Sequence, residues 1–417
     1  MFYLNKIGLY LLYLLLIIIP FHFAAGDFGV PMFYREIIGI SFLLLLLVNL
    51  YQERYLDFKI RKELLFLILG PVLLIFSALY DPMIILYSDG TSFNDITSES
   101  IDIDPRLYVL RNAILYLPMI LYFSRRGMSK KEIEHIAIIS VAVAPLSILF
   151  YVFTILESGY FSIFLLGEMS EKAGIGIEYN SYVPYLSFPV ISGMFILSGK
   201  HSSIIKLLTL VSISISSMFI FLSSSRQTFL LIAIALVLFM FLDKSNKNLK
   251  KIALFSFIGL CVFSFYSFVM SGYELNTQLV DKYTGGRNYR FIAMANGLDL
   301  LSPYHYITGA GLTSVIVSGP HNDYIRWTQR VGLFYMIILF YPYFSAAFKC
   351  FISTLRERSD LTIFYIGISI FFIIYHSVFG YPREDVYQSV WAYLGITMWL
   401  GYTNKKKTLV FDKQKVI

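Results

Sequence analysis

The chain has 417 residues, of which 57% are hydrophobic, 18% aromatic and only 15% charged, where a soluble domain carries about 25% charged residues. Apolar runs of membrane-span length recur from end to end, which excludes an ordinary soluble domain. The strict two-residue alternation of a membrane β-barrel does not occur, and the net charge of +7 gathers in short loops between apolar runs, which excludes nucleic acid as a partner.

Taken in chain order, the runs predict twelve spans, at about 7–25, 35–51, 64–80, 106–123, 136–156, 181–198, 207–222, 227–242, 252–270, 331–348, 361–379 and 387–402. The expected fold is an all-α polytopic membrane protein, one integral membrane domain over 1–417. Lys6, the apolar stretch behind it and FAAGD have the parts of a cleaved signal peptide, but the run is long for one. Cys261 and Cys350 lie in or beside spans and imply no disulfide framework.

Lysine and arginine in short loops mark the cytoplasmic side. Alternate loops are basic: 54–62, 125–131, 200–206, 244–251 and 349–358. With Lys6 and the tail, that side holds 23 of the 34 basic residues. Both termini are therefore expected in the cytoplasm. Loop 81–105, with six acids and neither lysine nor arginine, falls on the other side. So does the one large insertion, 271–330, between spans nine and ten. Within it Arg287–Leu301 reads as an amphipathic helix and SPYHYITGAGLTSVIVSGP as a turn-rich connector. Pro320 is expected to open a helix that runs into span ten.

The outer side holds eleven basic residues, nine of them arginine. A guanidinium offers a flat fork of donors matched to phosphate or carboxylate and stays charged at any biological pH. The set therefore suggests a bound anion, with local ion pairs or lipid headgroups as the bland alternative. Arg226, in SSSRQTFL, sits at the tight turn between spans seven and eight with no acid near it in sequence. Burial there costs at least ~2.5 kcal/mol unless the charge is met. Arg111 lies roughly 7 Å into span four at helical rise. Arg287 and Arg290 are three apart and share a helix face, behind a Gly285-Gly286 pair that allows close backbone approach. Asn322, Arg326 and Arg330 form one stripe at i, i+4 and i+8, and Arg383 completes the candidate binding set. His321 stands at a helix start, where the positive end favours the neutral imidazole a general base needs. Capping or a headgroup contact is its other reading, and His305 in the same loop competes for the role. No metal-ligand spacing and no phosphate-cradling loop appear, so no cofactor is expected. Asp102 and Asp104 are the nearest approach to a carboxylate pair.

Several of these residues stand together in one order: Ser225-Arg226, Gly286-Arg287, Gly309-Ala310-Gly311, His321-Asn322-Asp323-Tyr324-Ile325 and Val331-Gly332-Leu333. In that order, with the large outer loop and twelve spans, the region from about 215 to 345 resembles the O-antigen ligase and O-antigen polymerase superfamily. One departure is TQRVG, where the ligase-like helix often carries an acid before the glycine. The resemblance implies a fold like the class C membrane glycosyltransferases. It implies a glycan donor on undecaprenyl diphosphate, transferred at the periplasmic face without metal or nucleotide sugar. Arg226 and Arg287 would take the diphosphate-binding positions and His321 the catalytic one. The partners implied are the lipid-linked glycan, membrane lipid and a chain-length regulator protein. An Ile/Phe/Tyr/Asn-rich composition, like that of strain-variable glycan clusters, favours a polymerase joining lipid-linked repeat units. The alternatives are a ligase onto lipid A–core and, from another class, a lipid-linked glycan flippase. A transporter should place charge near the bilayer midplane, whereas these spans are nearly free of it.

Overall fold

The computed structural model describes residues 2–25, 34–52, 62–77, 85–86, 105–157, 182–183, 185–222, 228, 232, 303–309, 315–316, 323–357, 361, 394–395 and 397–403. Its helices, in chain order, are α1 (Phe2–Ala25), α2 (Tyr34–Gln52), α3 (Lys62–Ser77), α4 (Pro105–Arg126), α5 (Lys130–Glu157), α6 (Ser187–Ser198), α7 (Ser203–Leu222), α8 (Pro303–Thr308) and α9 (Asp323–Glu357). Strands β1 (Ile85–Leu86) and β2 (Val315–Ile316) pair in parallel. Spans eight, nine and eleven lie outside the described residues, apart from Thr228, Ile232 and Leu361. Among the described residues two helices are long and apolar enough to cross a membrane, Lys130–Thr154 and Ser203–Ile220. Trp327–Pro342 with Phe344–Cys350 is a third if the bent pair is one span. α1, α2 and α6 hold the shorter apolar segments Lys6–Phe21, Glu36–Tyr51 and Ser187–Ser198.

Side-chain contacts fix the direction of neighbouring helices. Tyr13 meets His135 and Phe21 meets Phe150, so α1 and α5 run parallel. The Ser212 hydroxyl donates to the Val141 carbonyl at 2.6 Å, and Tyr151 abuts Phe219, so α5 and α7 are parallel too. α3 and α9 run antiparallel: the Phe66 and Tyr341 rings are 4.4 Å apart, and the Tyr335 hydroxyl donates to the Leu73 carbonyl at 2.9 Å. Each direction is the one that alternating crossings require. Several hydroxyls inside these helices are met locally: Ser140 and Ser147 donate to carbonyls three residues back and Thr209 to one four back, which suits an apolar solvent.

Two corners set the ends of the bundle. At the lysine-rich face Gly127, at φ 77°, closes α4 with its N–H on the Phe123 carbonyl. The next residue, Met128, donates to the Gly401 carbonyl at 3.0 Å, joining this corner to helical residues 397–403. α5 then starts in a capping box: the Ser129 N–H donates to Glu132 at 2.7 Å, and the Glu132 N–H donates to the Ser129 hydroxyl at 3.3 Å. Arg126 pairs with the same carboxylate. At the opposite face the β1–β2 ladder sets Ile85 beside Val315 and Leu86 beside Ile316. It joins the acidic loop to the large loop, two segments that the charge pattern assigns to one side.

The core is apolar and rich in rings. Phe42 of α2 packs on Tyr122 and Phe123 of α4. Tyr151 and Tyr182 stack at 5.0 Å with Phe219 edge-on to both, and all three rings are buried. Outside, α2 and α7 expose stripes of large apolar side chains, among them Ile37, Ile40, Leu44 and Leu47, and Ile204, Leu207, Leu208 and Val211. Such surfaces suit lipid and not water.

Candidate functional site

Most of the candidate chemistry lies outside the described residues: Arg226, Arg287, Arg290, His321, Asn322 and Arg383. Arg111 sits on α4 and Arg326 on α9. Arg330 is placed in full, buried on α9. The structure therefore describes the frame around the candidate residues and not their meeting.

That frame is built on a reversal. α9 is broken at Gly332, whose backbone is non-helical at φ 82°, ψ 162°. A continuous helix would separate Tyr324 from Phe340 by about 24 Å. Their ring centroids are instead 4.8 Å apart, and Tyr324 also reaches Phe344 at 5.8 Å. The segment before Gly332 thus folds back along the segment after it. Trp327, Val331 and Phe340 form the core of this hairpin, with Tyr324, Tyr335, Met336 and Leu339 around it. The helix expected to run into span ten is present, but it enters by turning on itself.

α8 docks at the turn. The SPYHYIT segment, read from sequence as part of a connector, forms the helix Pro303–Thr308. Proline suits its first position, and it closes with the Gly309 N–H on the His305 carbonyl at 2.8 Å. Gly309 lies at φ 77°, and a Cβ there would meet the backbone of Arg330 and Val331. A Cβ on Gly332 would meet the backbone of Ile307 and Gly309. Two of the ordered motifs, GAG and VGL, are thus interlocked backbone to backbone, and the chain between them, with His321 and Asn322, is held at both ends.

Beside the lock the helix buries three successive polar residues between the apolar Trp327 and Val331. Thr328, Gln329 and Arg330 are all buried, and the Thr328 hydroxyl donates back to the Tyr324 carbonyl at 2.7 Å. Burying such groups in sequence is costly unless they are engaged. Gln329 has no place in the i, i+4, i+8 arginine stripe, and sequence reasoning missed it. Its signal was the run TQR one residue ahead of a glycine that breaks a helix. His305, the rival base, is half-exposed on α8 beside Tyr304.

A family model described as O-antigen ligase matches residues 210–340. The match spans the SR turn, the large loop, α8, the Gly309–Gly332 lock and the reversal, and it supports the O-antigen ligase and polymerase superfamily. No curated protein matches the chain.

Proposed function

We propose, for an integral membrane protein whose residues 210–340 carry the O-antigen ligase pattern, that it is a glycosyltransferase acting on lipid-linked glycans, and specifically an oligosaccharide repeat-unit polymerase. The observation that supports this best is the match itself, over residues 210–340; SR, GR, GAG, HN and VGL all fall within it in the sequence, and two of them, GAG and VGL, interlock. Twelve spans of a class C-like fold, with cytoplasmic termini and the 271–330 loop in the periplasm, complete the reading.

The chemistry asks little of the protein beyond placement and charge. A sugar hydroxyl of one lipid-linked unit attacks the anomeric carbon of the other unit's first sugar. The bond from that carbon to the diphosphate oxygen breaks, and the electron pair leaves with undecaprenyl diphosphate. A sugar hydroxyl is a poor nucleophile, so His321 takes its proton as general base. Negative charge grows on the leaving diphosphate, and Arg226 and Arg287 meet it with preorganised guanidinium groups in place of a metal. Arg290, Asn322, Arg326, Arg330, Arg383 and Arg111 would hold the remaining phosphate and sugar groups. A chain-length regulator is the protein partner this activity calls for.

The matched family is described as O-antigen ligase, and that description names the second reading, a ligase that would move the finished glycan to lipid A–core. One experiment separates the two. A deletion strain carrying His321→Ala at confirmed membrane levels is read on a lipopolysaccharide gel. A single repeat unit left on the core identifies a polymerase. Loss of every attached repeat, with polymer accumulating on its carrier lipid, identifies a ligase. A wild-type ladder removes His321 as the base.

A further inference from the structure

Lys349 marks where α9 leaves the hydrocarbon. It is exposed, and lysines at span ends reach for the aqueous boundary. From Lys349 back to Gly332 the helix rises roughly 25 Å, whereas the hydrocarbon layer is about 30 Å thick. Gly332 is therefore not clear of the bilayer. Neither is α8, because the Ile307 carbonyl lies against Gly332.

The side chains agree with that depth. Leu333, Ile337, Phe344 and Phe348 are exposed along one side of α9, at i, i+4, i+11 and i+15, with Phe334 adjoining. On a helix of this composition that stripe faces lipid. α8 continues it. Ile307 is 70% exposed, as Phe334 is 68%, and Tyr304 is exposed beside it. Tyrosine with a neighbouring aliphatic is the composition of the membrane–water boundary. We propose that α8 is an interfacial helix, with Tyr304 and Ile307 inserted among lipids at the Gly332 turn of α9. The large loop is thereby pinned to the bilayer surface just ahead of the HN segment.

The inference needs the membrane reading only, so its test is independent of any transfer activity. A nitroxide is attached at Ile307→Cys in the full chain, with Cys261 and Cys350 replaced by alanine, in phosphatidylcholine vesicles. Its collision with oxygen, which partitions into lipid, is compared with that of a water-soluble nickel chelate. Phe334→Cys is the lipid reference and Ser202→Cys, exposed in a short loop, the aqueous one. The expected oxygen-to-nickel ratio at Ile307 is several-fold above that at Ser202 and close to that at Phe334. A ratio like that at Ser202 overturns the proposal. So does low access to both probes, which would mean another part of the chain covers α8. Tyr304→Cys repeats the reading should Ile307→Cys fail to fold. An aqueous ratio at Phe334 would sink the depth argument itself.

Discussion

Gly309 and Gly332 each occupy a backbone conformation that admits the other's strand of chain. Both have positive φ, and a Cβ on either would run into backbone contributed by the other's segment. Gly332, at φ 82° and ψ 162°, lies in a region that is essentially glycine's alone. The contact closes a loop from GAG to VGL.

Alanine at either position is expected to destabilise the protein by about 1–3 kcal/mol from backbone strain alone, with the backbone clash adding to it. The double variant is expected to cost less than the sum, because one contact is lost in both cases. Thermal unfolding of the detergent-extracted single and double variants checks this. Strict additivity would mean the two glycines act separately.

The corner at Gly127 to Glu132 gives a second expectation. Ser129→Ala removes the cap hydroxyl and should cost about 1 kcal/mol. Glu132→Gln keeps an acceptor for the Ser129 N–H but loses the ion pair with the half-buried Arg126. It should therefore fall between wild type and Glu132→Ala in thermal stability. Equal loss in Gln and Ala variants would show that charge, not the capping geometry, dominates the corner.

The stacked tyrosines allow a third. Tyr182 shares a hydrogen bond of 3.0 Å with Ser147, while the Ser147 hydroxyl also donates to the Ala144 carbonyl. Tyr182→Phe therefore leaves Ser147 with a partner and is expected to cost only about 0.5–1.5 kcal/mol. Tyr182→Ala removes a ring held between Tyr151 and Phe219 and is expected to cost about 3–5 kcal/mol. Unfolding curves for the two variants give the comparison.

If guanidinium groups carry the leaving diphosphate as proposed, transfer by purified protein should be unchanged by a divalent-metal chelator. Arg226→Lys and Arg287→Lys should slow turnover while leaving the protein folded, since lysine keeps the charge but not the bidentate fork. Polymer formation from lipid-linked units, measured with and without chelator, is the readout. Loss of activity restored by added metal would overturn the assignment of those arginines.

The long helices were legible because their signal is length and apolarity: α4, α5, α7 and α9 each cover the apolar run expected to be helical and extend beyond it. The lock was half legible. Gly309 and Gly332 stand out within motifs, but that one faces the other is a tertiary fact with no trace in periodicity. α8 was hidden for the same reason. Six residues starting with proline show too little pattern to separate a helix from a turn, and short helices owe their stability to what they dock against, here the Gly332 turn. Gln329 passed unnoticed because the reversal, not the local sequence, determines which side of Asp323–Val331 is closed from water.

Helix α9 runs for 35 residues, about 52 Å if it were straight and far more than one bilayer. The reversal at Gly332 shortens that reach. The stretch from Asp323 to Val331 lies beside the helix that follows and adds no length along it, so only Leu333 to Glu357 counts, about 37 Å at helical rise. The element then extends little further than one hydrocarbon thickness, and its first turns thicken the bundle instead of lengthening it.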